Sequence, residues 1–364
     1  MKIAQVEAIP LSIPFSFGGS AYRLGASSGL ALDFCLVRVE TDDGLVGWGE
    51  AFAYSSRTAV VAAVRDMVAP LAIGQDATDI AGLSCRLQQS LHIFGRYGIT
   101  MHAISGLDIA LWDIAGKRAG KPLHQLLGGT PRSGIAAYAS LLRYADAALV
   151  AQYAARAVGE GFAAIKLHEI DETVVAAARA AVPGEVPLMF DVNCAWSPDE
   201  AQTICARLAH HAPHWIEEPV FPPEDFAALK RLREHAGVAL AAGENWCTVT
   251  QFRHALDAGA VDIVQPSVTK VGGVSEFVKV AALARERGVR VAPHSPYFGP
   301  GAIATLHLLT TLAEPAWFEL YYLDAEAALF GAALKPAHGV MTIPQGPGLG
   351  VAPDADVIAR YRID

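Results

Sequence analysis

Seven polar side chains end successive apolar runs in the C-terminal two thirds of the chain: Lys166, Asp191, Glu217, Glu244, Ser267, His294 and Glu319. Successive members are separated by 25, 26, 27, 23, 27 and 25 residues. Each step is one strand-plus-helix unit, so side chains spaced this way converge at the C-terminal mouth of a parallel barrel, where such folds do their chemistry. Three of them, Asp191, Glu217 and Glu244, sit on consecutive runs, and three carboxylates brought together repel unless a cation lies between them. An oxygen-only donor set suits a hard ion, Mg²⁺ or Mn²⁺ in its place. A single such acid would be read as a helix cap or ion-pair partner; the three together are read as metal ligands. Glu217 and Glu218 compete for one position. Trp215 and Glu217 share a strand face by alternation, whereas Glu218 precedes Pro219 and points elsewhere, so Glu217 is the expected ligand.

Around this trio stand candidates for proton transfer. Lys166 lies one unit before Asp191, and a nearby divalent cation favours the neutral amine that a base requires. His294 lies across the mouth and can act as base or acid on the opposite face of a substrate. His168 shares the strand face of Lys166 and is a second acid or a substrate anchor. Glu319, at the end of the eighth run, could donate from a protonated carboxyl to a developing oxyanion, with helix capping as the plainer alternative. Asn193 is a candidate for a substrate hydroxyl or a turn former. Tyr297 is an alternative acid or a pocket wall, and Lys270 an ion-pair partner.

The elements needed to position these groups are legible. The runs at 135–139, 163–167, 186–190, 214–216, 238–242, 261–264, 289–292 and 317–318 are continuously apolar, as strands buried on both faces must be, and Ala-rich helical stretches separate them. The expected fold is α/β: a TIM-type parallel (β/α) barrel over residues 128–325. Residues 1–127 read differently. Alternating segments at 2–10, 34–39 and 46–48, with a turn at Asp42-Asp43-Gly44, predict an antiparallel meander, and helical spacing follows at 58–70, 79–91 and 101–118. This is an N-terminal α+β domain, and the irregular segment 326–364 is expected to pack back on it. Tyr22, Arg23, Tyr54 and Arg57 lie in its loops, as groups able to read a polyhydroxylated substrate.

Composition narrows the partners. Across 364 residues, 28 Lys and Arg against 37 Asp and Glu give a net charge of −9, with no basic block to track phosphates, so nucleic acid is not expected. The uncharged stretch 291–313 contains Pro293, Pro296, Gly299, Pro300 and Gly301 and reads as strand, loop and helix start, not as a membrane span. A glutamate at position 7 interrupts any signal-like start, and five widely spaced cysteines without a C-x-x-C fit reduced thiols; a cytoplasmic location is expected. The expected partners are a small-molecule substrate and further copies of the chain.

Five motifs from the barrel half are Ala163-Ala164-Ile165-Lys166-Leu167-His168, Phe190-Asp191-Val192-Asn193, Trp215-Ile216-Glu217-Glu218-Pro219, Ala242-Gly243-Glu244-Asn245-Trp246 and Pro293-His294-Ser295. With Asp43-Gly44-Leu45-Val46-Gly47-Trp48-Gly49-Glu50, the segment from Ser105 to Asp113, and Leu126-Leu127-Gly128-Gly129, the chain resembles the mandelate racemase branch of the enolase superfamily over essentially its whole length. The resemblance implies a capping domain over a (β/α)7β barrel, Mg²⁺ on Asp191, Glu217 and Glu244, and removal of a proton alpha to a carboxylate to give an enediolate. The chain departs from the pattern at Ser267, where the branch usually carries an aspartate paired with the histidine, so His294 is expected to lack carboxylate support. The function expected is dehydration of a sugar acid, begun by Lys166 or His294. The alternative is a racemase, epimerase or lactone cycloisomerase using the same step. A non-catalytic acid-binding protein would have no use for Lys166 and His294 beside the ligands.

Overall fold

The computed structural model describes residues 1–20, 30–130 and 132–363. Tyr22 and Arg23, expected to face the substrate, lie outside the described residues. The N-terminal half begins with three antiparallel strands, β1 (Ile3–Ser16), β2 (Ala31–Thr41) and β3 (Val46–Phe52), turned at Gly44, whose φ of +84° suits only glycine without strain. The alternation of small and large residues along Val46-Gly47-Trp48-Gly49-Glu50 has a packing cause. A Cβ on Gly49 would meet the Gly106 carbonyl oxygen at 1.9 Å, and one on Gly47 the Ala110 oxygen at 2.1 Å, so the sheet rests on the helix Ile99–Ala119 backbone to backbone. Asp113 fastens that contact. Its carboxylate accepts from Trp48 N at 2.9 Å, Leu349 N at 2.8 Å and Lys117 Nζ at 2.7 Å, tying sheet, helix and C-terminal segment together.

The eight apolar runs form eight parallel strands: β4 (Ile135–Leu141), β5 (Ala164–Leu167), β6 (Leu188–Asp191), β7 (Trp215–Glu217), β8 (Leu240–Ala242), β9 (Ile263–Val264), β10 (Arg290–Val291) and β11 (Phe318–Tyr321). Seven helices alternate with them, and the curled sheet runs in the order β10-β9-β8-β7-β6-β5-β4-β11. Among the described residues β10 and β11 do not pair, which leaves a seam in the ladder. Four of the seven helices that follow the strands are capped by side chains at their N-termini. Asp146, Asp171 and Asp225 accept from helix N-termini, and Ser197 and Glu200 form a reciprocal capping box before Pro198.

Beyond β11 the chain returns to the first half. Strand β12 (Asp324–Ala325) adds to β1 at Phe15 and Ser16, and Ile363 N donates to Pro10 O at 3.1 Å, while β13 (Val340–Met341) pairs with β4. Inside the barrel the alternation seen in sequence sets two layers. Tyr138, Ala164, Met189, Trp215, Ala241 and Ile263 pack together as the apolar floor. Two residues further along their strands, Ser140, Lys166, Asp191 and Glu217 therefore point the same way, one layer nearer the mouth.

Candidate active site

Parallel register brings the charged layer together. Asp191 pairs with Glu217 across β6 and β7, and Glu244 follows β8 by two residues. One carboxylate oxygen from each of Asp191, Glu217 and Glu244 lies within 4.8 Å of the others, and all three residues are buried. A point equidistant from three atoms so spaced is about 2.8 Å from each, and Mg²⁺ takes oxygens at about 2.0–2.1 Å, so side-chain adjustment of under about 1 Å suffices. Asp191 Oδ2 sits 3.2 Å from Lys166 Nζ and 3.3 Å from His168 Nε2, yet neither contact has hydrogen-bond geometry and the buried oxygen has no donor. A buried acceptor so placed is what a coordinating cation satisfies. The donor set fits the hard divalent ion expected.

Glu218 is turned away by its left-handed backbone, φ +45°, and its carboxylate accepts from Asn245 Nδ2 at 3.1 Å and 3.2 Å. The geometry thus groups Glu217, not Glu218, with the other two acids. Burial and the facing Asp191 carboxylate hold the Glu217 carboxyl well above the usual range. Burial also opposes ionisation of Asp191 and Glu244, but cationic neighbours prevail. Lys166 and His168 keep Asp191 low, and His294 with Lys270 keeps Glu244 low.

Lys166 is fully buried at the centre of this layer. Its Nζ lies 2.6 Å from Glu319 Oε1, 2.9 Å from Glu217 Oε1 and 3.2 Å from Asp191 Oδ2. Burial alone would lower its pKa, but Glu217, Glu319 and Asp191 overcome that and raise it well above the ordinary value. With Asp191 and Glu217 committed to a dication, that support for the ammonium is withdrawn and the neutral amine becomes accessible.

On the far side His294 Nε2 faces Glu244 Oε2 at 3.0 Å. Its Nδ1 meets Tyr297 OH at 3.0 Å and Ser267 Oγ at 3.3 Å, and those two hydroxyls are in close contact with each other. Nδ1 thus has two neutral hydroxyl partners where a carboxylate was expected to be missing. His168 is pinned by its Nδ1 donating to Leu141 O at 2.6 Å, which leaves Nε2 turned toward Asp191.

Other expected contacts are arranged differently. Glu319, anticipated as a donor from a protonated carboxyl, accepts from Ser140 Oγ at 2.9 Å and Ser295 N at 3.2 Å besides Lys166. Burial pushes its pKa up, but Lys166 and His294 carry it below the usual value, so it stands here as a carboxylate. Asn193 commits both its backbone N–H and its side-chain amide to Asp191 Oδ1, at 3.0 Å and 2.9 Å, and orients that acid. Tyr54 donates to Pro296 O at 2.9 Å, and Arg57 pairs with Asp33, so both are engaged within the cap and its join to the barrel. Lys270 bonds Glu244 Oε1 and Asn245 Oδ1, each at 3.2 Å, and lies 4.2 Å from the Phe52 ring centre of the cap.

Sequence reasoning missed Ser140 and Tyr321. Ser140 follows Tyr138 by two on β4, and Tyr321 follows Glu319 by two on β11, its ring 6.1 Å from that of His168. The same alternation that marked Glu217 over Trp215 marks both.

Residues 25–128 match the mandelate racemase/muconate lactonizing enzyme N-terminal domain, and residues 148–357 the enolase C-terminal domain-like family. The chain is 36% identical to a D-galactarolactone cycloisomerase of Agrobacterium fabrum, over 90% of this chain and 91% of that protein. It is 32% identical to an arabinonate dehydratase of Saccharolobus solfataricus, over 93% of each. A mandelate racemase/muconate lactonizing protein from Paracoccus denitrificans, solved in complex with magnesium, superposes with a TM-score of 0.86 at 29% identity, covering 100% of this chain and 98% of that one. Both halves of the chain match the family, and these relatives are covered over nine tenths or more of their length: the chain belongs to the mandelate racemase/muconate lactonizing enzyme family of the enolase superfamily.

Proposed function

We propose that the protein is a Mg²⁺-dependent sugar acid dehydratase that begins by removing the proton alpha to the substrate carboxylate. The observation that carries this reading is the position of Lys166. A buried amine lies within 3.2 Å of two of the three acids of the metal-binding trio, with His294 against the third. Magnesium on Asp191, Glu217 and Glu244 supplies positive charge that makes the alpha carbon acidic.

Lys166 Nζ, in its neutral form, accepts the alpha proton. Glu319, 2.6 Å from Nζ, accepts a hydrogen bond from the resulting ammonium and limits its motion. His294 delivers a proton from Nε2 to the departing beta oxygen, while Tyr297 and Ser267 hold the imidazole at Nδ1. Asn193 keeps Asp191 in its ligating orientation, and Lys270 does the same for Glu244. Cap residues near the mouth, Tyr54 and Phe52 among them, pack against Tyr297 and close the site from water.

Cycloisomerisation is the second reading, favoured by the similarity to a D-galactarolactone cycloisomerase. In a cyclic ether or lactone the oxygen expelled from the beta carbon stays tethered to the product, so the same lysine and histidine serve both outcomes. A panel of aldonic and aldaric acids and their lactones, incubated with Mg²⁺ in D₂O, tests both. Loss of water to give a 2-keto acid that carries solvent deuterium at its beta carbon supports the dehydratase, and conversion at unchanged mass in H₂O the cycloisomerase. Lys166→Ala retaining full turnover and exchange on the responding substrate overturns both.

A further inference from the structure

A cavity of about 600 Å³ opens at the opposite end of the barrel, beside the seam between β10 and β11. Its walls are mainly apolar, with Trp215, Trp317, Ile263 and Leu312 among them and the Tyr138 ring at the inner end. A volume of this size takes a small organic molecule. The His214 ring packs against those of Trp215 and Trp317, tilted by 55° and 54°, with ring centres 5.3 and 5.4 Å away. Burial and nearby Arg290 depress its pKa, so the imidazole adds no charge to the wall.

Charge is confined to the rim. Arg285 and Arg290 line the opening, both exposed and, among the described residues, neither in an ion pair nor in a side-chain hydrogen bond. Arg233, Arg287 and Arg207 elsewhere on the barrel each hold a carboxylate. Among the described residues that line the cavity, Glu314 is the one acid. Two guanidiniums outnumber it, so the opening is locally positive on a chain of net charge −9.

The geometry points to a second ligand site here, for a carboxylate with an aromatic or branched aliphatic body: the body lies in the lumen against Ile263, Leu312 and Trp317 and the anionic head meets Arg285 and Arg290. Arginine's planar fork matches a carboxylate in two parallel bonds. The inner wall also touches the chemistry. The Trp215 indole N–H donates to Glu217 Oε2 at 3.0 Å, and Lys166 Nζ lies 5.9 Å from the Tyr138 ring centre. An occupant is thus one side chain from a metal ligand and from the base.

The test is titration calorimetry of the Mg²⁺-loaded protein with 4-phenylbutyrate and its neutral counterpart 4-phenyl-1-butanol. One carboxylate binds per chain, and the alcohol binds at least tenfold more weakly. The double variant Arg285→Gln, Arg290→Gln loses that difference, and Ala282→Phe, which fills the lumen, loses both ligands, while kcat/KM on the sugar acid substrate stays within twofold in both variants and shows that they fold. Glu217→Gln keeps phenylbutyrate binding, which separates this site from the metal centre. The inference is overturned if phenylbutyrate does not bind, if binding survives both cavity variants, if Glu217→Gln abolishes it, or if sedimentation shows a dimer that Val278→Asp dissociates, in which case the opening is covered by a second copy.

Discussion

Replacing Glu217 by glutamine, beside the same change at Glu218, tests the metal centre most directly. At an effective dielectric of about 20, two carboxylates 4.8 Å apart repel by about 3.5 kcal/mol. A dication about 2.8 Å from the Glu217 oxygen attracts it by about 12 kcal/mol on the same scale. Re-ionising Glu217 against both Asp191 and Glu244 returns somewhat more than half of that gain. The balance, about 5 kcal/mol, corresponds to more than a thousandfold in affinity. Glu217→Gln is therefore expected to weaken Mg²⁺ at least a hundredfold in calorimetry on protein stripped with EDTA. Glu218→Gln, whose carboxylate is held by Asn245, stays within about fivefold. The pH dependence follows. Because the Glu217 carboxyl is held high, Mg²⁺ displaces a proton, so wild-type affinity falls as pH is lowered and this dependence weakens in Glu217→Gln. Loss of metal in Glu218→Gln with retention in Glu217→Gln would refute the reasoning.

Three further outcomes are expected. Tyr297→Phe leaves His294 Nδ1 with Ser267 alone, so kcat falls about tenfold with KM within twofold; an unchanged kcat removes Tyr297 from positioning the imidazole. His307 Nε2 donates to Leu349 O and its Nδ1 accepts from His124 Nδ1 at 3.0 Å, an arrangement of neutral rings, and burial lowers the His307 pKa to about 4. The unfolded chain protonates this histidine near pH 6.5, so stability is lost as pH falls from there toward 4, about 2 kcal/mol between pH 7 and 5. Urea denaturation of His307→Leu should show a correspondingly flatter pH dependence, and an equal slope would sink this account. Burial raises the Glu50 carboxyl to about 7 although Gly301 N donates to it at 2.9 Å; its protonated form is the stable one when folded, and stability is lost as pH rises from about 4.5 through 7. Glu50→Gln is accordingly expected to be more stable than the wild type by about 2–3 kcal/mol at pH 8 and nearly equal to it at pH 5, measured by the same denaturation.

The barrel was legible because its logic is local and repeated. A strand buried on both faces must be apolar throughout, and a polar residue at its end has one place to point, so Lys166, Asp191, Glu217, His294 and Glu319 could be assigned to one mouth without a contact map. The period-two argument that separates Glu217 from Glu218 has the same basis, and applied to β4 and β11 it also reaches Ser140 and Tyr321. The side-chain partnerships were less accessible. Asn193 sits where a substrate-binding residue could be, yet a left-handed backbone, φ +46°, folds its amide onto Asp191. Tyr54 looked free to meet a substrate, but the chain 242 residues on supplies a carbonyl for its hydroxyl.

Sequence by itself determined which chemical groups converge, and which end of the barrel they share, because strand alternation and repeat length are properties of the chain alone. Only the tertiary structure decided their states. Lys166 favours its ammonium form because oxygens of Asp191, Glu217 and Glu319 surround it, Glu319 is an acceptor because Lys166, Ser140 and Ser295 reach it first, and His294 Nδ1 rests on two hydroxyls. Protonation and hydrogen-bond direction depend on distances of a few ångströms between residues far apart in sequence, and no local pattern encodes those distances.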